Sequence, residues 1–144
     1  MKVRLFLAHA AEVQAGMLFA MGMGWTEIGP APSPFAIAAL IEVTWGETNR
    51  PRTLSFDVVD LDGRPVNVPT PTGDRPFQIQ ANFDQGRPPG VAPGTSFMAP
   101  IAINVGSVQF EPGRQYVLRA LVDGEVLDQT VFRTRAVPPP LALP

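Results

Sequence analysis

Apolar and polar residues alternate with a period of two along most of this chain, the spacing that puts one set of side chains on the buried face of a strand. Val3, Leu5, Leu7, Ala11 and Val13 share one parity against Lys2, Arg4 and Glu12. Leu54, Phe56 and Val58 oppose Thr53, Ser55 and Asp57, and Phe77, Ile79, Ala81 and Phe83 oppose Gln78, Gln80 and Asn82. Tyr116, Leu118, Ala120 and Val122 oppose Gln115, Arg119 and Asp123. Half-buried strands of this kind belong to antiparallel sheets. The spacing predicts about eight strands, over 2–12, 17–28, 35–45, 52–60, 76–83, 98–110, 114–122 and 126–134, and hence a β-sandwich with no long helix.

Turn residues fall between these runs. Asp62-Gly63 and Asp123-Gly124 are pairs suited to tight hairpins, and apolar-rich segments flank the second closely. In the sixth segment Ile101, Ile103 and Val105 keep one phase while Val108 and Phe110 keep the other, so a bulge is expected near Gly106 and Ser107. Breaker-rich stretches at 65–74 and 84–95 read as long loops. Residues 1–135 form a single domain on this reading. Residues 136–144 form a proline-rich apolar tail that cannot continue a central strand, because proline lacks the N–H donor.

One stretch breaks the pattern. Over residues 15–45 both parities are apolar, with Glu27 and Glu42 the only charges. Met17, Phe19, Met21, Met23 and Trp25 oppose Leu18, Ala20, Gly22 and Gly24, and Phe35, Ile37, Ala39, Ile41, Val43 and Trp45 oppose Ala36, Ala38 and Leu40. A sandwich buries one face of each strand, so a second apolar face needs a second cover. Three covers are open: a loop or the tail of the same chain, a second copy, or a different protein. The contact residues expected on this reading are Met17, Phe19, Met21, Met23, Trp25, Phe35, Ile37, Leu40 and Trp45, joined by Leu141 and Leu143 of the tail.

Composition narrows the function classes. Charged residues make up 17% of the chain against a usual quarter or so, net charge is −2, and no segment concentrates Lys or Arg. Nucleic-acid binding is therefore not expected. No apolar run reaches the length of a membrane-spanning helix, and the N-terminal residues make a poor signal peptide because His9 and Glu12 interrupt them. The protein is expected to be cytoplasmic or assembled into a particle. Cysteine is absent, which removes disulfides and thiolate chemistry. His9 is the lone histidine, and its parity places it on the apolar side of the first strand as a structural residue. Asp57, Asp60 and Asp62 lack the remaining ligands of a calcium loop. Gly22-Met23-Gly24-Trp25 lacks the Lys-Ser/Thr ending of a phosphate loop. No catalytic set, metal site or cofactor is expected.

Several short motifs taken together resemble a family of small uncharacterised bacterial proteins, mainly actinobacterial. They are Ala10-Ala11-Glu12, Ala15-Gly16-Met17-Leu18, Met21-Gly22-Met23-Gly24-Trp25, Leu40-Ile41-Glu42-Val43 and Val59-Asp60-Leu61-Asp62-Gly63-Arg64-Pro65. Gly113-Arg114-Gln115-Tyr116 leading into Val122-Asp123-Gly124-Glu125 is similar to the final hairpin of an immunoglobulin-like domain. The resemblance implies an immunoglobulin-like antiparallel β-sandwich and carries over no catalytic residue. The low lysine content fits a high-GC host or its phage. The expected function is a non-catalytic structural or protein-interaction module that self-associates through residues 15–45, with a homo-oligomer or another protein as partner. Two alternatives stand beside it: a phage virion or particle component, and a small-ligand-binding sandwich using loops 65–74 and 84–95.

Overall fold

The alternating segments become strands in the computed structural model, which describes residues 1–141. In chain order these are β1 (Lys2–Ala8), β2 (Ala10–Gln14), β3 (Met17–Met21), β4 (Glu27–Ile28), β5 (Ser33–Val43), β6 (Arg52–Val59), β7 (Asn67–Thr70), β8 (Gly73–Pro76), β9 (Gln78–Phe83), β10 (Phe97–Val108), β11 (Gln115–Val122) and β12 (Glu125–Thr134). The one helical element among the described residues is a 3-10 turn at Trp45–Glu47. The fold is all-β, as the periodicity predicts.

Two sheets form the sandwich. One has the order β1-β5-β10 and the other β4-β12-β11-β6-β9. Labelled by position, β1, β5 and β10 occupy the A, B and E places of an immunoglobulin sandwich, and β6, β11 and β12 occupy C, F and G. Short β4 runs parallel to the end of β12, with Arg133 opposite Glu27. The first strand therefore starts in one sheet and resumes in the other, and β2 and β3 form a separate two-stranded hairpin inserted between its halves. Tyr116 supplies a further immunoglobulin-like feature. At the start of β11 its hydroxyl donates to the Glu111 carbonyl at 3.0 Å, which ties the incoming loop to the strand. Burial pushes the Tyr116 phenol above its ordinary value, so it stays a donor.

The core lies between the inner faces. Ile37, Ala39, Ile41 and Val43 of β5 meet Leu54, Phe56 and Val58 of β6 and Leu118 and Ala120 of β11. An aromatic cluster closes one end, with Phe110 edge-on to Phe132 at 5.4 Å and Tyr116 beside both. On the outer face of the larger sheet Arg119 and Asp57 sit opposite each other on neighbouring strands. They form a two-pronged ion pair, with Nε and Nη2 at 2.8 and 2.6 Å from the two carboxylate oxygens. That pairing raises the Arg119 guanidinium still further and occupies Asp57.

The Asp123-Gly124 hairpin joins β11 and β12 with both residues at positive φ, 50° and 82°, as a type I′ turn requires. The expected slip in β10 falls between Val105 and Val108. Three expectations change. The run 2–12 breaks at His9, the run 17–28 yields β3 and a two-residue β4, and the stretch 65–74 is not a plain loop because β7 and β8 pair there. Val68 of that small hairpin is buried. Val66 and Val68 are the two apolar anchors among turn-forming residues, too short a periodic signal to predict a strand.

Candidate functional site

The two-sided apolar stretch resolves into a hairpin folded back over a sheet. Alanines dominate the outer face of the smaller sheet at one end: Ala8, Ala36 and Ala38 are fully buried there, with Ala102 beside them. Side chains this small let a second backbone approach closely. The β2–β3 hairpin lies on them and turns Ala11, Leu18 and Ala20 inward. Asn104 of β10 fastens it. Its Nδ2 donates to the Ala11 carbonyl at 2.7 Å and its Oδ1 accepts the Ala11 N–H at 3.1 Å, so one amide side chain imitates a neighbouring strand.

The hairpin turns at Ala15-Gly16, with φ 49° and 73°. Its entry is set by His9 and Gly22. The His9 N–H donates to the Met21 carbonyl at 2.8 Å and the Gly24 N–H to the Leu7 carbonyl at 2.7 Å. The His9 ring rests on Gly22, where a Cβ would lie 2.9 Å from the ring Cγ. The His9 side chain is exposed at this bend, a correction to the apolar placement its parity implies. The alternation ends where β1 bends into β2, so parity counted from Leu7 does not carry past it.

The covering hairpin leaves its own far side open. Met17, Phe19 and Met21 are 56%, 47% and 75% exposed, on a face they share with exposed Glu12 and Gln14, and Val13, which pairs with Leu18 on the other face, is exposed as well. A shallow groove of about 650 Å³ runs between the hairpin and the uncovered end of the sheet, bordered by Phe6, Met17, Leu18, Met23, Leu40 and Met98. Met23 and Met98 are exposed and Leu40 is half-buried. The cover is thus partly intramolecular, and it transfers an apolar surface outward instead of removing it.

Other residues expected at this surface go elsewhere. Phe35 and Ile37 are buried in the core, since their parity on β5 faces the opposite sheet. Trp25 packs edge-on against Phe35 and Phe132 at 5.9 and 5.8 Å. Positive φ at Gly22 and Gly24 breaks the phase that links Trp25 to Met21 and Met23. Trp45 sits in the 3-10 turn, stacked on Phe97 and capped by Arg87, whose Cζ lies 3.9 Å from the ring centroid. Arg87 also donates to the Trp45 carbonyl and the Thr48 hydroxyl, both at 2.6 Å, so the 84–95 segment is pinned at that point. Leu141 is 91% exposed and Leu143 lies outside the described residues. Asp60 accepts the Asp62 and Arg64 N–H groups and so closes its own turn.

The residues that sequence reasoning missed are Phe6, Met98 and Asn104. Phe6 and Met98 have the outward parity of their strands, which is a readable signal. Asn104 has none, because its role depends on a hairpin nearly a hundred positions earlier.

A model described as a family of unknown function (DUF6941) matches residues 4–135. None of the curated proteins compared with the chain matches it. Among solved structures an immunoglobulin-like protein from Pseudomonas aeruginosa is similar, at 15% identity and a TM-score of 0.42, over 94% of this chain and 98% of that one.

Proposed function

As the chain belongs to the DUF6941 family of unknown function, which assigns it no activity, we propose from its geometry that it is a non-catalytic interaction module that self-associates through the outer face of the β2–β3 hairpin. One observation carries this. An insertion inside an immunoglobulin-like strand presents Met17, Phe19 and Met21 to solvent on the far side of a cover already fastened by Asn104. Glu12 and Gln14 of β2 share that face, opposite Phe19 and Met17, so polar side chains are accommodated there, yet all three β3 positions carry large apolar ones. Methionine and phenylalanine together make an adaptable apolar contact.

The side chains that chemistry would need support the same reading. His9 lies at a bend with its ring against glycine, Asp57 is held by Arg119, and Asp60 caps a turn. The segments considered for ligand binding are committed to structure, 67–76 as a hairpin and Arg87 as a clamp on Trp45. Sedimentation of the chain at micromolar concentration tests the proposal. A dimer or larger species is expected, and changing Phe19 and Met21 together to Ser lowers its order. A wild-type chain that stays monomeric overturns it.

A further inference from the structure

We infer that two copies of this chain join edge to edge through β10, in antiparallel register about a two-fold axis near Ile103, to make one continuous six-stranded sheet. The inference rests on the reading of the chain as a self-associating module, but it puts the seam at the β10 edge in place of the outer face of the hairpin.

Strand edges differ in how they are protected. The β4 edge is two residues long. β9 carries Gln78, Gln80 and Asn82 at alternate positions. β1 carries Lys2 and Arg4, and the Leu5 N–H that would meet an incoming strand is taken by Asp128 Oδ2 at 2.8 Å. β10 ends its sheet and runs for 12 residues without a charged side chain, and Pro100 and the bulge between Val105 and Val108 bound its open stretch to residues 101–105. Proline and the bulge blunt this edge on either side, and the stretch between them carries no charge to repel a pairing strand.

The ladder shows which groups are open. Leu5 turns its N–H away from β5, so the pair Leu5–Ala39 is not hydrogen-bonded and Ala39 bonds on its other side, to Ile101. Ile101 therefore faces β5, and its neighbours Pro100 and Ala102 turn their backbone groups outward. Proline agrees with this, since Pro100 has no N–H to give a ladder. Ala102 and Asn104 are the successive open donors. A two-fold axis near Ile103 sets Ala102 of one copy against Asn104 of the other, so the same four groups pair twice.

Side-chain burial marks the same place. Ile101 and Ile103 point into the core, yet both are half-buried, whereas their partners on β5, Ala39 and Ile37, are fully buried. The core is open along that flank, and a strand added there would close it. A second copy suits the position because a segment without charge meets itself with no repulsion. It also places both hairpins on one face of the joined sheet, beside the axis.

The substitution Ala102→Pro tests the seam. It removes an outward donor and leaves the β5 ladder intact, as Pro100 already does at the equivalent outward position. The expected result is a dimer weakened by about tenfold or more, because symmetry deletes the bond twice. In the wild-type chain the amides of Ala102 and Asn104 should exchange slowly with deuterium, a measurement that needs no variant to fold. If Ala102→Pro leaves the dimer intact while the Phe19 and Met21 double change dissolves it, the edge seam is overturned and the hairpin reading stands. Ala102→Val adds bulk under the hairpin but keeps the outward N–H. If Ala102→Pro dissolves the dimer while neither Ala102→Val nor the Phe19 and Met21 double change does, the edge seam stands and the hairpin reading falls. A monomeric wild type with fast exchange at Ala102 overturns both.

Discussion

Asn104 gives both of its amide groups to the backbone of one residue, Ala11, at 2.7 and 3.1 Å, and thereby holds a hairpin from the first strand against the last strand of the same sheet. Asn104→Ala removes two hydrogen bonds and leaves the Ala11 groups to find water. The expected cost is about 1–3 kcal/mol in urea unfolding. Exchange at the Ala11 amide should speed up well before the core opens.

Ala15 has φ 49° at the first central position of the β2–β3 turn, where a residue with a Cβ is strained. Ala15→Asn should raise stability by about 0.5–1 kcal/mol, since asparagine tolerates this conformation in such turns. A thermal melt that falls instead would show that the turn relaxes in solution.

Gly22 combines φ 63° with the overlying His9 ring. Gly22→Ala is expected to cost more than about 1 kcal/mol, from backbone strain and overlap together. Adding His9→Ala should recover the overlap and leave the strain. Full recovery would place the whole cost on the ring.

Leu18 and Met21 lie on opposite faces of β3. Leu18→Ala should cost about 2 kcal/mol because Leu18 packs on the buried alanines, whereas Met21→Ala should stay within about 0.5 kcal/mol in the monomer. Equal costs would mean the hairpin is not seated on the sheet.

Tyr116→Phe deletes the bond to the Glu111 carbonyl without emptying the core position. A loss of about 1 kcal/mol is expected, with the denaturant dependence unchanged.

What the sequence determined by itself is the part that local periodicity and turn chemistry control. Alternation over 52–60, 76–83 and 114–134 became β6, β9 and the β11–β12 hairpin within a few residues, and Asp123-Gly124 turned as its positive φ values demand. The phase slip in β10 was readable because a bulge shifts side-chain parity by one. The two-sided apolar stretch at 15–45 was readable as well, together with its need for a second cover.

Only the tertiary structure decided which side chains that stretch exposes. A period of two separates two faces but does not say which meets the opposite sheet, so Phe35 and Ile37 could not be told from an outward pair until β5 had neighbours on both sides. Met21 and Trp25 share a parity that two glycines at positive φ cancel, which sends one to solvent and the other to Phe132. The Ala15-Gly16 turn carries none of the usual Asn or Asp signal, and the hairpin it makes is held by Asn104, far along the chain. Long-range contacts of that kind leave no local trace. They are the reason an apolar surface predicted over residues 15–45 narrows to Met17, Phe19, Met21 and the groove beside them.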